Sequence, residues 1–121
     1  MRMEQARRWF EQSADEQFYF CRFTQITVLR LVTTREIMGK DTKNMSEAWN
    51  VWDKVWADSR IAFLPEPDGW EKEFRKHSRL PSRSPKVWAD AYLLAFAPIA
   101  GLRLVTFDRA LESRGTDVLI L

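Results

Sequence analysis

Two aspartates carry the chemistry that this sequence could do. Asp90 interrupts an apolar helical run, with Val87, Trp88 and Ala89 before it and Ala91, Tyr92, Leu93 and Leu94 after it. An ionised carboxylate in such a setting is costly unless a partner or a cation faces it. Asp108 follows the strand-like run Leu104-Val105-Thr106-Phe107. In parallel α/β sheets, ligands sit beyond the carboxyl ends of the strands. A carboxylate at a strand end and another on the preceding helix can therefore converge on a hard cation. Mg2+ takes one or two carboxylates, waters and phosphate oxygens. That is the donor chemistry of metal-assisted phosphodiester cleavage. Each aspartate also has a plainer use. Asp108 can cap the short Arg109-Ala110-Leu111 helix, and Asp90 can face solvent or pair with an arginine.

Other chemistries are poorly supplied. The chain has one cysteine, Cys21, and one histidine, His77. That excludes an internal disulfide framework and a Cys/His zinc site. Cys21 lies in an apolar run and reads as a buried thiol. A Ser-His-Asp or Cys-His arrangement would rest on His77 alone. His77 stands in the charged stretch Lys76-His77-Ser78-Arg79, reads as a surface residue, and is given no role.

The elements that must position the two aspartates follow from periodicity and breakers. Glu4 to Ala14 reads as a helix with Ala6, Trp9 and Phe10 on one side. Phe18 to Cys21 and Ile61 to Leu64 are short continuous apolar runs, the mark of buried strands. Between them, Thr24 is placed to cap a helix with Val28, Leu29, Leu31 and Val32 inward. Ser46 opens another helix that reaches about Asp58. On it, Met45, Trp49, Trp52 and Trp56 form one stripe, expected to pack into the core. The other use of such a stripe is a groove for a partner segment or a second subunit. Asp68 to Ser78 is a charged helix with Trp70 and Phe74 inward. Ser84-Pro85 is a cap followed by proline at the first helical position, opening a helix from Lys86 to Ile99. Leu102 to Phe107 is a strand, Asp108 to Ser113 a short helix and Asp117 to Leu121 a terminal strand. Short apolar strands alternating with helices predict an α/β fold with a mainly parallel sheet covered on both faces.

The 121 residues suit one domain with a real core. No stretch is a linker between domains. The longest apolar stretch, Ala91 to Leu102, is 12 residues and contains Pro98 and Gly101. A bilayer crossing needs roughly 20. The N-terminus carries no apolar signal region, so a cytoplasmic protein is expected. The net charge of +2 is unevenly spread: residues 71–86 hold six Lys or Arg against two Glu. A basic segment of this kind suits a polyanion, although solvated helix faces can look the same.

Two stretches carry a family resemblance. Trp88-Ala89-Asp90-Ala91-Tyr92-Leu93-Leu94-Ala95-Phe96-Ala97, followed by Gly101-Leu102-Arg103-Leu104-Val105-Thr106-Phe107-Asp108-Arg109-Ala110-Leu111, resembles the C-terminal half of PIN domains. It looks most like the VapC-type ribonuclease toxins of toxin–antitoxin pairs. Ala6-Arg7-Arg8-Trp9-Phe10, Phe20 to Gln25 and Leu29 to Thr33 extend the likeness over nearly the whole chain. The resemblance implies a three-layer α/β/α sandwich and a Mg2+ or Mn2+ site. It also implies endonucleolytic RNA cleavage, a VapB-like antitoxin and a homodimer. Asp90 and Asp108 then match metal-site and catalytic acids, and Thr106 matches a hydroxyl that supports the last carboxylate. Arg79, Arg83 and Lys86 become the expected contacts to the RNA backbone.

The chain departs from the family pattern at two places. The family begins with a strand ending in an aspartate, whereas this sequence starts at the helix that follows it. On that comparison, residues 1–121 read as a PIN-like domain without its first strand and first aspartate. A start codon assigned at an internal Met is one explanation. The other departure is Arg30, which stands where many members carry a glutamate on the helix after the second strand. Two alternative readings remain at this point: a catalytically inactive PIN-like remnant that binds antitoxin or RNA, and a non-nuclease α/β domain whose aspartates serve as a cap and a surface ion pair.

Overall fold

A computed structural model describes residues 2–106, 109–115 and 117–121. Phe107 and Asp108 lie outside the described residues. The chain divides into two compact units, Ser13–Pro65 and Met1–Gln12 with Glu66–Leu121.

In the Ser13–Pro65 unit, strand β1 (Phe18–Phe20) leads into helix α2 (Arg22–Val32), the short helix α3 (Arg35–Met38) and helix α4 (Met45–Trp56). The chain returns as strand β2 (Ile61–Phe63). The two strands pair in parallel, with Tyr19 opposite Ala62. Parallel pairing needs a long crossover, and the helices between the strands supply it. Cys21, Gln25, Ala48, Trp52 and Ile61 are buried in this unit. Trp52 meets the Phe20 ring edge-on at 5.3 Å, a favourable aromatic geometry. Gln25 escapes the usual penalty for a buried amide because its Oε1 accepts from the Arg22 guanidinium at 2.5 Å. Arg60 forks onto Asp58, with Nε to Oδ1 at 3.1 Å and Nη2 to Oδ2 at 3.0 Å. These hydrogen bonds hold the Asp58 carboxyl below its ordinary value and the Arg60 guanidinium above its own.

Two helix starts differ from the sequence expectation. Thr24 does not cap α2 from outside. The cap is Cys21, and Thr24 sits three residues into the helix, where its Oγ1 accepts from the Cys21 amide at 2.8 Å. Helix α4 begins before Ser46. Asn44 is its cap, accepting from the Glu47 amide at 2.8 Å, while Glu47 accepts from the Asn44 amide at 3.0 Å. This reciprocal capping box satisfies donors that the first turn leaves unpaired. Asn44→Ala is expected to cost about 1 kcal/mol, read as a lower urea midpoint with an unchanged slope.

The tryptophan stripe also divides. Only Trp52 is buried, at 6% exposure, while Met45, Trp49 and Trp56 are exposed. The buried face of α4 runs instead through Ala48 and Trp52, with Val51 and Val55 half-buried. One apolar band thus includes both core residues and an uncovered flank.

The other unit begins with helix α1 (Arg2–Gln12) and continues with α5 (Trp70–Ser78) and α6 (Lys86–Ile99). Between strands β3 (Leu104–Thr106) and β4 (Val118–Ile120), the described residues include a 3-10 turn at Arg109–Leu111. The strands pair in parallel, with Val105 opposite Leu119. Both strand pairs are therefore parallel, as the alternation of elements predicts, and each is a sheet of two strands. The mixed architecture agrees with an α/β class.

The core of this unit lies along α6. Ala91, Leu94, Ala95, Phe96 and Ala97 are buried on that helix, together with Leu111 from the 3-10 turn. Small alanines let neighbours approach closely, and Leu94 fills the space at 1% exposure. Gly115 is part of the same fit: a Cβ there would lie 3.0 Å from Leu94 Cδ2 and would overlap Val118 Cγ2. Helix α6 spans Lys86–Ile99 as expected, but its cap is Pro85 rather than Ser84, with no side-chain cap bond. It ends in a Schellman turn. The Leu102 amide donates to the Ala97 carbonyl at 2.8 Å and the Gly101 amide to the Pro98 carbonyl at 3.0 Å. Gly101 takes φ +71°, the left-handed value that this turn demands. The turn aims the chain out of α6 into β3, which ends at Thr106, two residues before Asp108.

Candidate functional site

Asp90 is placed by α6, one and two turns before the buried Leu94 and Ala97. It sits at the end of the helix's core-facing stripe, so its carboxylate is only 19% exposed. That is the costly setting that the sequence suggests, and a cation is nearby. Arg114 Nη1 lies 4.0 Å from Asp90 Oδ2. The same guanidinium donates through Nη2 to the His77 carbonyl at 3.1 Å. That carbonyl belongs to the last turn of α5, where helix carbonyls lack an internal partner. Arg114 thus ties the end of α5 to the carboxylate on α6. The turn that follows Leu111 delivers it, with the Arg114 amide donating to the Leu111 carbonyl at 3.1 Å.

Sequence reasoning misses Arg114. The plainer reading of Asp90, pairing with an arginine, pointed to a partner of this type without saying which one. The pair spans residues 90 and 114, and no local spacing rule reaches that far.

Thr106 closes β3, half-buried, and its carbonyl accepts from the Leu121 amide at 2.9 Å. Asp108 lies outside the described residues, so the pairing of its carboxylate with Asp90 rests on the sequence. Arg79 and Arg83 are exposed in the connection between α5 and α6, and Lys86 is exposed at the first position of α6. The three cations come from one continuous segment leading into the Asp90 helix. Arg30, at the position where a glutamate is expected, is exposed on the last turn of α2.

The donors named for a cation are carboxylate oxygens, which suit Mg2+ or Mn2+ rather than a softer metal. Among the described residues, no three His, Cys, Asp or Glu side chains gather as a ligand cluster. Asp90 is the described member of the set. Its 4.0 Å separation from Arg114 is longer than a charged hydrogen bond. The arginine balances the carboxylate's charge across that gap. In donor type the residues fit a hard cation.

His77 is half-buried beside this pair, and burial pushes its imidazole below the ordinary 6.5. Glu73 opposes that shift, while Arg114 and Lys76 reinforce it. The folded state therefore resists protonation, and the unfolded chain binds the proton more readily. Stability is highest where His77 is neutral in both states and falls as pH drops from about 6.5 through the lowered value. His77→Gln should remove that part of the loss. The check is a pair of urea titrations at about pH 7.5 and 5.5, with a smaller difference in the variant than in the parent.

No helix among the described residues is long and apolar enough to cross a membrane. No family model matches the chain. Curated relatives do. Ribonuclease VapC41 from two strains of Mycobacterium tuberculosis is 39% identical over 115 residues, covering 91% of this chain and 79% of the relative. Identity of that level runs through both units rather than through one short motif. With the resemblance around Asp90 and Asp108, it settles the family: the chain belongs to the VapC-type PIN-domain ribonuclease toxins.

Proposed function

We propose that this protein is an endoribonuclease toxin, dependent on Mg2+ or Mn2+ and held in check by a VapB-like antitoxin. The observation that carries the reading is the likeness to Ribonuclease VapC41 over 91% of this chain, combined with a half-buried carboxylate at Asp90. The proposal takes residues 1–121 as one PIN-like domain of three-layer α/β/α type that works as a homodimer in the cytoplasm.

Asp90 and Asp108 would hold the cation. When bound, the cation supplies polarisation of the scissile phosphate and a lowered pKa for an attacking water. The protein's own residues do the rest. Arg114 balances the Asp90 charge in the absence of metal and holds the carboxylate against the end of α5. Thr106 offers a hydroxyl at the end of β3 and, by the family resemblance, would support Asp108. Arg79, Arg83 and Lys86 neutralise RNA phosphates and set the strand's register, because backbone contacts position a nucleic acid without reading its sequence. Arg30, exposed on α2, is compatible with a phosphate contact rather than with a ligand role.

Expression in a bacterial host tests the toxin reading. Induction is expected to arrest growth with accumulation of cut RNA, and co-expression of the cognate VapB-like protein to restore it. Growth unaffected at a protein level visible on a gel would count against a toxin. Arrest with intact RNA would count against a ribonuclease.

A further inference from the structure

An aromatic groove between α5 and α6 lies outside the carboxylate site. Trp70 stacks on Phe74 with ring centroids 4.4 Å apart, and Tyr92 leans on Trp70 at 4.8 Å. The Trp70 indole N–H is used within this wall, donating to the Tyr92 carbonyl at 3.4 Å. Trp88 closes the far side, tilted against Phe74 at 5.9 Å. Unlike the others it stands out of the wall, 60% exposed. The cleft beside the Trp70, Phe74 and Trp88 rings has a volume of about 390 Å³ and is also lined by Glu71, Arg75 and Arg79. Arg75 is already paired with Glu71 at 2.9 Å. Arg79 heads the exposed basic run that continues through Arg83 to Lys86.

Exposed tryptophan is expensive to leave in water, and a groove that combines it with arginines suits a ligand with both a flat π face and negative charge. An unpaired nucleotide has both. Bases stack on aromatic side chains with little regard to sequence, and cations beside the platform follow the backbone. The charge of the segment favours this occupant over an acidic or neutral surface of unspecified kind: residues 71–86 hold six Lys or Arg against two Glu.

We propose that the α5–α6 groove is a base-stacking subsite for single-stranded RNA, with Trp88 as the platform and Arg79 as the adjoining phosphate contact. The proposal rests on the ribonuclease reading and adds a requirement for unpaired substrate at a position beside the scissile site. Duplex RNA presents no free base face there and should bind through its phosphates alone.

The test is fluorescence anisotropy of the full chain, in EDTA, with three labelled probes: a short oligouridine, an abasic ribose-phosphate oligomer of equal charge, and an RNA duplex. Trp88→Ala is expected to weaken oligouridine binding about tenfold and to leave the other two probes unchanged. Trp88→Phe should restore most of the loss, and Arg79→Ala should weaken all three probes. Unchanged far-ultraviolet circular dichroism in each variant separates these effects from unfolding. Equal affinity of the parent for oligouridine and the abasic oligomer would overturn the stacking site. So would a Trp88→Ala protein that binds oligouridine normally, and if that protein instead loses antitoxin binding or dimerisation the groove is a protein interface. In either case, metal-dependent RNA cleavage by the parent would leave the ribonuclease reading standing. A parent that neither binds nor cuts RNA would overturn both.

Discussion

Asp90→Asn is expected to lower RNA cleavage by about a hundredfold or more, the scale at which a site loses a charged ligand or transition-state contact. The substitution is nearly isosteric, so it removes charge without opening a cavity. Asp90 is half-buried, and its neighbours one and two turns on are the core residues Leu94 and Ala97. Arg114 keeps its bond to the His77 carbonyl whether or not residue 90 is charged. Stability should therefore change little, and neutralising a partly desolvated carboxylate offsets the weakened ion pair. The two readouts separate chemistry from folding. Thermal melting should stay close to the parent while cleavage collapses. A variant that cuts RNA at the parental rate would remove Asp90 from the site. Arg114→Met supplies the contrast: it frees the end of α5 and leaves the carboxylate intact, so it should act on stability more than on the metal-dependent rate.

The second large effect is structural. Leu94→Ala is expected to destabilise the fold by about 2–5 kcal/mol, from lost transfer energy plus a cavity. Leu94 is 1% exposed, and Ala91, Ala95 and Ala97 around it are already too small to collapse inward. Gly115 cannot close the gap because it has no side chain to extend. For a domain of ordinary stability that is a large fraction of the total, and it should lower the melting temperature by about 8–20 °C. Differential scanning calorimetry reads it directly. A loss below about 1 kcal/mol would mean that the surroundings relax into the space. Gly115→Ala in the parent should also destabilise, since its Cβ would meet both Leu94 and Val118. In the Leu94→Ala background part of that cost should vanish, an interaction that a double-mutant cycle detects.

Much of the architecture is legible in the sequence because its signals are local. The apolar runs around Tyr19 and Ala62 become the parallel pair β1–β2, and the period of Trp70 and Phe74 becomes the inner face of α5. Pro65 and Gly101 mark ends that the structure keeps. What escapes is set by geometry over distance or by competition between neighbours. Helix α3, only Arg35–Met38, is too short to show a period. The caps move by one to three residues, since several polar residues stand near each helix start and only the folded backbone selects which one caps. Asn44 takes the Glu47 amide, and Thr24 serves from inside the helix by accepting from the Cys21 amide. Trp49 and Trp56 share a period with Trp52, yet periodicity cannot say which part of an apolar band a neighbour covers. Of the candidate site, Asp90 is legible as a carboxylate among apolar residues, whereas Arg114 is not. The pair forms only because the turn after Leu111 and the end of α5 meet beside α6. The grouping of the strands into two parallel pairs is likewise a property of the folded chain, not of any segment.

The most direct test of the central claim is cleavage of a structured RNA by the purified protein with Mg2+, with Mn2+ and with EDTA, beside Asp90→Asn and Asp108→Asn. The account predicts discrete internal cuts with either metal, none in EDTA, and none in the variants. Intact RNA under every metal condition, or the same cuts from both variants, would contradict it.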